Sequence, residues 1–369
     1  MSGLVLDIAR ELLSRNRDRR AIPVLDGPMR PNSRLDQCPV VSTAVTAPDD
    51  IAITADGVAY VTSGNSVVRF ADVSCEKQEI LAQFDGFATA LSTHPAGGVV
   101  VAVAGQGLAF LDGPDSGRML EIPQSTGLLC PTALWVSPAG DIYICDGSRF
   151  NPPDRWAHDL MQKRRSGRVL RVDARTREVE ILARDLAYPN GICLSKNGES
   201  LLVCEAWTHN VLKIPMEPKS GSRQELVIQN LPGYPARIMA TSTGYCLSLF
   251  ALRTQLVDFV LTEDRYRHKM MERIEPAFWI SPALKSEGHY LEPVQGAGLR
   301  KHGSLKAWAP PRSYGLVILL DTDLQVQESL HSRVGGSCHG ITGLAEYKGE
   351  LFFVSKGDNK IVRAMGDVQ

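Results

Sequence analysis

The chain has 369 residues, 44% of them hydrophobic and 22% charged, with a formal net charge of -1. That composition suits a protein with a large buried core, and the balanced charge excludes any global pull toward nucleic acid or an anionic membrane. No run of roughly 18 apolar residues offers a membrane-spanning helix, so the expected partner is a small molecule; oligomeric state is left open.

Eight cysteines occur, none in Cys-x-x-Cys spacing, which excludes zinc-ribbon and thioredoxin-like readings. Most lie in apolar runs, where a free thiol acts as a small hydrophobe. Reduced thiols and a cytoplasmic location are expected.

In chain order, Leu4, Ile8 and Leu12 recur at helical spacing, so residues 1–20 are expected to form a short amphipathic helix. Asp7 and Glu11 interrupt what would otherwise be the apolar core of a signal peptide. Residues 1–35 form this helix and a lead-in, and 36–369 one folded unit. The stretch CPVVSTAV, residues 38–45, alternates as a strand.

A repeat follows. A small or polar residue precedes an aliphatic by two positions, a turn Gly comes six positions later, and a strand follows. Asp49, Ile51 and Gly57 fit this grammar, as do Thr89, Leu91 and Gly97. So do Thr132, Leu134 and Gly140; Asn190, Ile192 and Gly198; and Ala236, Ile238 and Gly244. A looser sixth copy spans SCHGITGLAEYKGELFFVS, with Ile341 and Gly349 two residues further apart. Third and fourth strands such as GRVLRVD and EVEILA complete the units. Units of this period predict an all-β six-bladed propeller. The sixth shows three strands at the C-terminus, so 38–45 is expected to supply its outer strand and join the chain ends.

Two segments interrupt the repeat. Residues 147–168 lie in blade three and hold a short helix; residues 261–312 lie in blade five and are expected to form a partly helical cap over one mouth of the channel. No phosphate loop, G-x-S-x-G elbow or H-E-x-x-H helix occurs, which disfavours serine-nucleophile and zinc-protease chemistry.

The blocks SGRVLRVD, PNGICLS, LVCEA and LPGYPARI, in this order, resemble those of strictosidine synthase-like proteins. These are six-bladed propellers related to paraoxonases and to the senescence-marker/gluconolactonase proteins. The resemblance covers roughly residues 50 to 365 and implies the fold more strongly than the chemistry. In calcium-dependent relatives the inner strands point oxygen ligands at Ca2+, which polarises the substrate oxygen. Asn190 stands at the Asn of the family's Asn-Gly block and Asp49 at its first-blade Glu, making both candidate metal ligands.

Other positions depart from the family. Thr132 replaces an Asn, Thr89 the paraoxonase His, and Ala236-Arg237 an Asp-Asn pair. Thr342 stands where strictosidine synthase has its catalytic Glu. A Ca2+ site, if retained, is degraded, and Arg237 is expected to take the ion's place and pair with Asp49.

The channel-mouth ring therefore reads Asp49, Thr89, Thr132, Asn190, Ala236 with Arg237, and His339 or Ile341. The expected function is a small-molecule enzyme hydrolysing a lactone or ester. Asp49 and Asn190, with Ca2+ or Arg237, bind the oxygen that gains charge, and His339 carries the proton. Thr89, Thr132, Glu205 and Thr342 are expected on the substrate side.

Two alternatives remain: a metal-free amine–aldehyde condensing enzyme, with Asp49 or Glu205 replacing the missing carboxylate, and a non-catalytic binding propeller. Each residue also has a plain role. Asn190 caps a turn, Asp49 and Asp50 hold a loop, His339 is structural, and Glu205 and His209 pair between blades. His158, Lys163, Arg164, Arg165 and Arg168 form a solvated loop or greet an anionic substrate.

Overall fold

The computed structural model describes residues 21–123, 126–217, 224–287, 289, 291–292 and 312–364 in full, and 300–301 and 304–305 as backbone. The helix expected over 1–20 lies outside the described residues. Six four-stranded antiparallel sheets form the molecule. Their innermost strands are Pro48–Ile53, Ala88–Thr93, Pro131–Val136, Pro189–Leu194, Gly233–Ala240 and Ile341–Tyr347. Each abuts the next and the sixth abuts the first, closing a six-bladed propeller around a channel.

Burial follows from that geometry. A second strand is sandwiched between neighbouring blades, so both faces must be apolar. Val99–Val103 and Ile142–Asp146 are buried throughout, whereas the outermost strand of blade one, Gln78–Gln83, has no buried residue. The turn Gly of the repeat takes a left-handed conformation at Gly57 (φ +91°) and Gly140 (φ +91°), which is strained for other residues. Gly244 is needed for a different reason: a Cβ there would meet the Leu320 carbonyl oxygen at 2.0 Å.

Blade six closes as expected. Its three C-terminal strands are completed by Val40–Ser42, which pairs antiparallel with Lys360–Ala364. This joins the N-terminal and C-terminal parts of the chain in one sheet. The lead-in is strapped down as well. Helix α1 (Arg34–Gln37) buries Leu35, and Asp36 Oδ1 accepts from Ser332 Oγ at 2.6 Å and from Ser337 N at 2.9 Å.

Helix α2 (Trp156–Gln162) sits in the blade-three insertion. Between the second and third strands of blade five, Tyr245–Leu252 and Gly315–Leu320, the chain leaves the sheet. It forms α3 (Gln255–Thr262), N-capped by the Thr254 side chain, then α4 (Asp264–Arg273) and a 3-10 turn, Pro276–Phe278. The excursion therefore starts earlier than residue 261. One apolar cluster joins both insertions to the channel mouth through Leu160, Met161, Tyr188, Phe250 and Trp279.

Candidate functional site

Each innermost strand is irregular near its start, at one place in five blades and at two in blade five. In blades two, three, four and six a single residue is inserted between consecutive ladder pairs: Thr89, Thr132, Asn190 and Thr342. In blade one the irregularity spans Asp49-Asp50; in blade five one spans Ala236-Arg237 and another falls between Tyr234 and Pro235. A bulge re-aims its extra residue out of the pleat, and here the bulges set a ring at the channel mouth. Thr342 takes the sixth position. Ile341 pairs with Ser355 just before the bulge, as Pro131 pairs with Asp146. His339 precedes the strand and is not in the ring.

Three ring side chains tie blade to blade. Thr89 Oγ1 donates to Pro131 O (2.6 Å), Thr132 Oγ1 to Pro189 O (2.5 Å), and Asn190 Nδ2 to Pro235 O (3.3 Å). Each acceptor lies on the innermost strand of the following blade. Asp49 accepts from Lys356 instead, and Ala236 has no polar side-chain atom. Thr342 completes the ring differently: its hydroxyl is buried without a hydrogen-bond partner among the described residues.

The guanidinium of Arg237 plugs the channel beneath. It donates from Nη1 to Asn190 O (2.9 Å) and from Nη2 to Thr89 O (2.9 Å), and its Nε lies 3.2 Å from Asp50 Oδ2. The sequence-based pairing of Arg237 with Asp49 is thus corrected to Asp50, whose side chain faces inward from the same bulge. Asp50 also accepts from Leu91 N. Burial pushes its carboxyl up to about 6, against the pull of Arg237. The guanidinium is also desolvated, but Asp50 and Asp49 hold its pKa above the ordinary value.

Above the ring lies a cavity of about 50 Å3, walled by Trp156, Tyr188, Trp207, Phe250 and Leu284. That is room for one or two waters. Asp49, Thr89, Thr132, Asn190 and Thr342 all reach it. So does Lys356, whose Nζ donates to Asp49 Oδ2 at 2.6 Å. Trp156, Leu284 and Lys356 also border a second space of about 400 Å3 between the cap segment Pro276–Glu287 and residues 356–359. This second space, a vestibule, shares those three wall residues with the small cavity.

Lys356, Trp207 and Tyr188 escaped the sequence reading. Lys356 and Trp207 follow second strands, Glu350–Ser355 and Ser200–Glu205, and Tyr188 precedes an innermost strand. In an antiparallel blade these ends share the mouth that holds the bulges, and that is the signal that identifies them.

Glu205 and His339 lie outside the cavity. Glu205 accepts from Ala187 N (2.7 Å), Arg165 Nη2 (2.7 Å) and Thr208 Oγ1 (2.5 Å), fixing the turn that carries Trp207. Both ring nitrogens of His339 are engaged, Nδ1 with Ser313 Oγ and Nε2 with Arg333 O, each at 2.9 Å. Arg168 is buried on Asp146 (2.9 and 2.8 Å) and leaves the solvated cluster expected of it.

The donor set does not fit calcium, which wants six to eight oxygens. Asp49 is paired with Lys356, and Arg237 occupies the Asn190 and Thr89 carbonyls. Among the described residues no three His, Cys, Asp or Glu side chains cluster as metal ligands.

Residues 132–217 match the family model of strictosidine synthase. The Arabidopsis thaliana protein strictosidine synthase-like 6 is 32% identical over 151 residues, which are 40% of this chain and 40% of that relative. The chain thus matches about two-fifths of that curated relative's length. Regucalcin from Agrobacterium tumefaciens, described as a calcium-binding protein, superposes with a TM-score of 0.57 at 12% identity, covering 88% of this chain and 92% of its own. A Xanthomonas campestris gluconolactonase superposes with a TM-score of 0.56 at 12% identity, covering 88% and 87%. The chain resembles strictosidine synthase-like proteins in sequence and the regucalcin and gluconolactonase propellers in fold.

Proposed function

We propose that the protein is a small-molecule enzyme that hydrolyses a lactone or ester in the cavity at the channel mouth, without a metal ion. One observation carries this reading: the Asp49–Lys356 pair and the unpartnered Thr342 hydroxyl both line one aromatic-walled cavity. The Asp49 carboxylate takes a proton from a water as its oxygen adds to the acyl carbon. Lys356 and Thr342 donate to the carbonyl oxygen as it becomes negative, and the apolar walls strengthen that interaction. Collapse of the intermediate breaks the acyl C–O bond, and Asp49 returns its proton to the departing alkoxide. The attacking water and the substrate's carbonyl oxygen fill the small cavity, and the rest of the substrate lies in the vestibule. Glucose-derived lactones enter the assay panel through the gluconolactonase relationship.

Condensation of an amine with an aldehyde is the second reading, on the strength of the strictosidine synthase segment. Lys356 disfavours it, because a cation in the cavity repels a protonated amine. Eight unpaired cysteines, seven of them buried, suit a reducing compartment, and we place the protein in the cytoplasm. No helix among the described residues is long and apolar enough to cross a membrane.

The test is a panel of lactones, aryl esters and amine–aldehyde pairs, run with and without a chelator. Lactone or ester turnover that survives chelation is expected. Turnover abolished by chelator and restored by Ca2+ would overturn the metal-free mechanism, and product from the amine–aldehyde pairs alone would favour condensation. Binding without turnover across the panel would favour a non-catalytic propeller.

A further inference from the structure

A larger space lies on the other side of Trp207. It is a groove of about 770 Å3 running between α2 and α3 over the blade-four turn, and Trp207 walls both it and the central cavity. Its volume falls in the range of sites that enclose drug-sized ligands, roughly 300–1,000 Å3.

The walls have two characters. Leu160, Trp207, Phe259 and Leu261 give an apolar side, and Phe259 is left 56% exposed. Opposite, Lys163 takes a left-handed conformation (φ +55°) that ends α2. The following residues, Arg164 and Arg165, run along the rim.

Arg165 is neutralised by Glu205 (2.7 Å), and Arg253 by Asp258 (2.9 Å). Lys163 has only a distant, exposed partner, Asp264 at 3.7 Å. Arg164 stacks on Phe150 at 4.5 Å and has no carboxylate partner among the described residues. The rim thus carries positive charge in excess.

A third feature is independent of charge. His209 lines the groove although it is only 7% exposed. Its Nδ1 faces the Gly233 carbonyl at 3.0 Å and carries the proton. Burial and Arg253 hold its pKa down to about 3, so the ring is neutral at physiological pH. That leaves Nε2 as an acceptor with no hydrogen-bond partner among the described residues, on the wall of the groove.

We infer that this groove is a second ligand site, for a small amphipathic anion. Its apolar body lies on Trp207, Phe259 and Leu261, its negative group faces Lys163 and Arg164, and a hydroxyl or N–H group donates to His209 Nε2. The site is separate from the central cavity, so its failure would leave the hydrolase reading untouched.

The test uses 1-anilinonaphthalene-8-sulfonate as a fluorescent probe on the full chain, with dodecanoate and dodecanol as competitors. One saturable site is expected, displaced by dodecanoate and at least about tenfold less well by dodecanol. K163E/R164E, on exposed positions, should weaken the probe at least about tenfold, and Phe259→Ser should weaken it through the other wall. No saturable site, unchanged affinity in K163E/R164E, or equal competition by the alcohol would overturn the proposal.

Discussion

Asp49 and Asp50 are adjacent in one bulge, and each is paired with a cation from another blade, yet the two pairs do different work. Asp50 lies with Arg237 in the sealed channel, where the guanidinium is also held by two backbone carbonyls. Asp49 meets Lys356 on the cavity floor, where both side chains keep some exposure. The lower pair stitches blades one, two, four and five together; the upper pair faces space. A carboxylate's neighbours, not its type, decide whether it holds the fold or is available for chemistry.

The sharpest way to break this comparison is to remove one charge from each layer. Asp49→Asn is expected to lower kcat/KM on the lactone or ester that is turned over by roughly 100- to 10,000-fold, the usual loss for a general base. Its urea midpoint should stay close to wild type. A variant that keeps activity would move the base elsewhere. Arg237→Met should do the reverse first: it leaves Asp50 buried and unpaired, which costs about 3–5 kcal/mol in stability. Chemical denaturation measures this, and a loss under about 1 kcal/mol would show that the plug is dispensable. Arg237→Lys should recover little, because one ammonium cannot reproduce the fork that reaches both carbonyls.

These layers were only partly legible in the sequence. The spacing of polar residue, aliphatic and turn Gly exposed five bulges because a blade's register is set by the same local pattern each time. The sixth was misaligned because Ile341 imitates the aliphatic of the repeat, while Leu344, two residues after Thr342, fills that position in the ladder. The closing strand was legible because three C-terminal strands leave an edge that only another strand can satisfy. The partners of Asp49 and Asp50 were not. Lys356 is 307 positions from Asp49, and no local pattern encodes which of two adjacent carboxylates faces the channel plug.

A smaller effect separates the two acids by pH. Asp50 has its folded pKa raised to about 6 from 3.8, so between those values the folded state holds more protons than the unfolded. Its contribution to stability is present below about pH 4 and lost as pH rises through 6. Asp50→Asn removes this dependence. Wild type should therefore gain stability relative to Asp50→Asn as pH falls from 7 to 5, measured by urea unfolding of both proteins. A difference that stays flat or shrinks would mean that Asp50 is ionised throughout, with Arg237 outweighing burial.

The finest contrast lies within the ring itself. Thr132 and Thr342 occupy equivalent bulges and both are buried. Thr132 Oγ1 donates to Pro189 O, whereas Thr342 Oγ1 has no partner among the described residues. Thr132→Val removes a blade-to-blade hydrogen bond and leaves a buried carbonyl with one donor fewer, so it should cost about 1 kcal/mol. Thr342→Val exchanges an unsatisfied hydroxyl for a methyl of similar size and should leave stability unchanged or slightly raised, since burying an unpaired polar group is itself unfavourable. If Thr342 serves the reaction, the same variant should lose roughly tenfold in kcat while Thr132→Val keeps its rate. Equal stability losses in the two variants would show that Thr342 is a fourth blade tie, and its hydroxyl would no longer count among the groups free to meet a substrate.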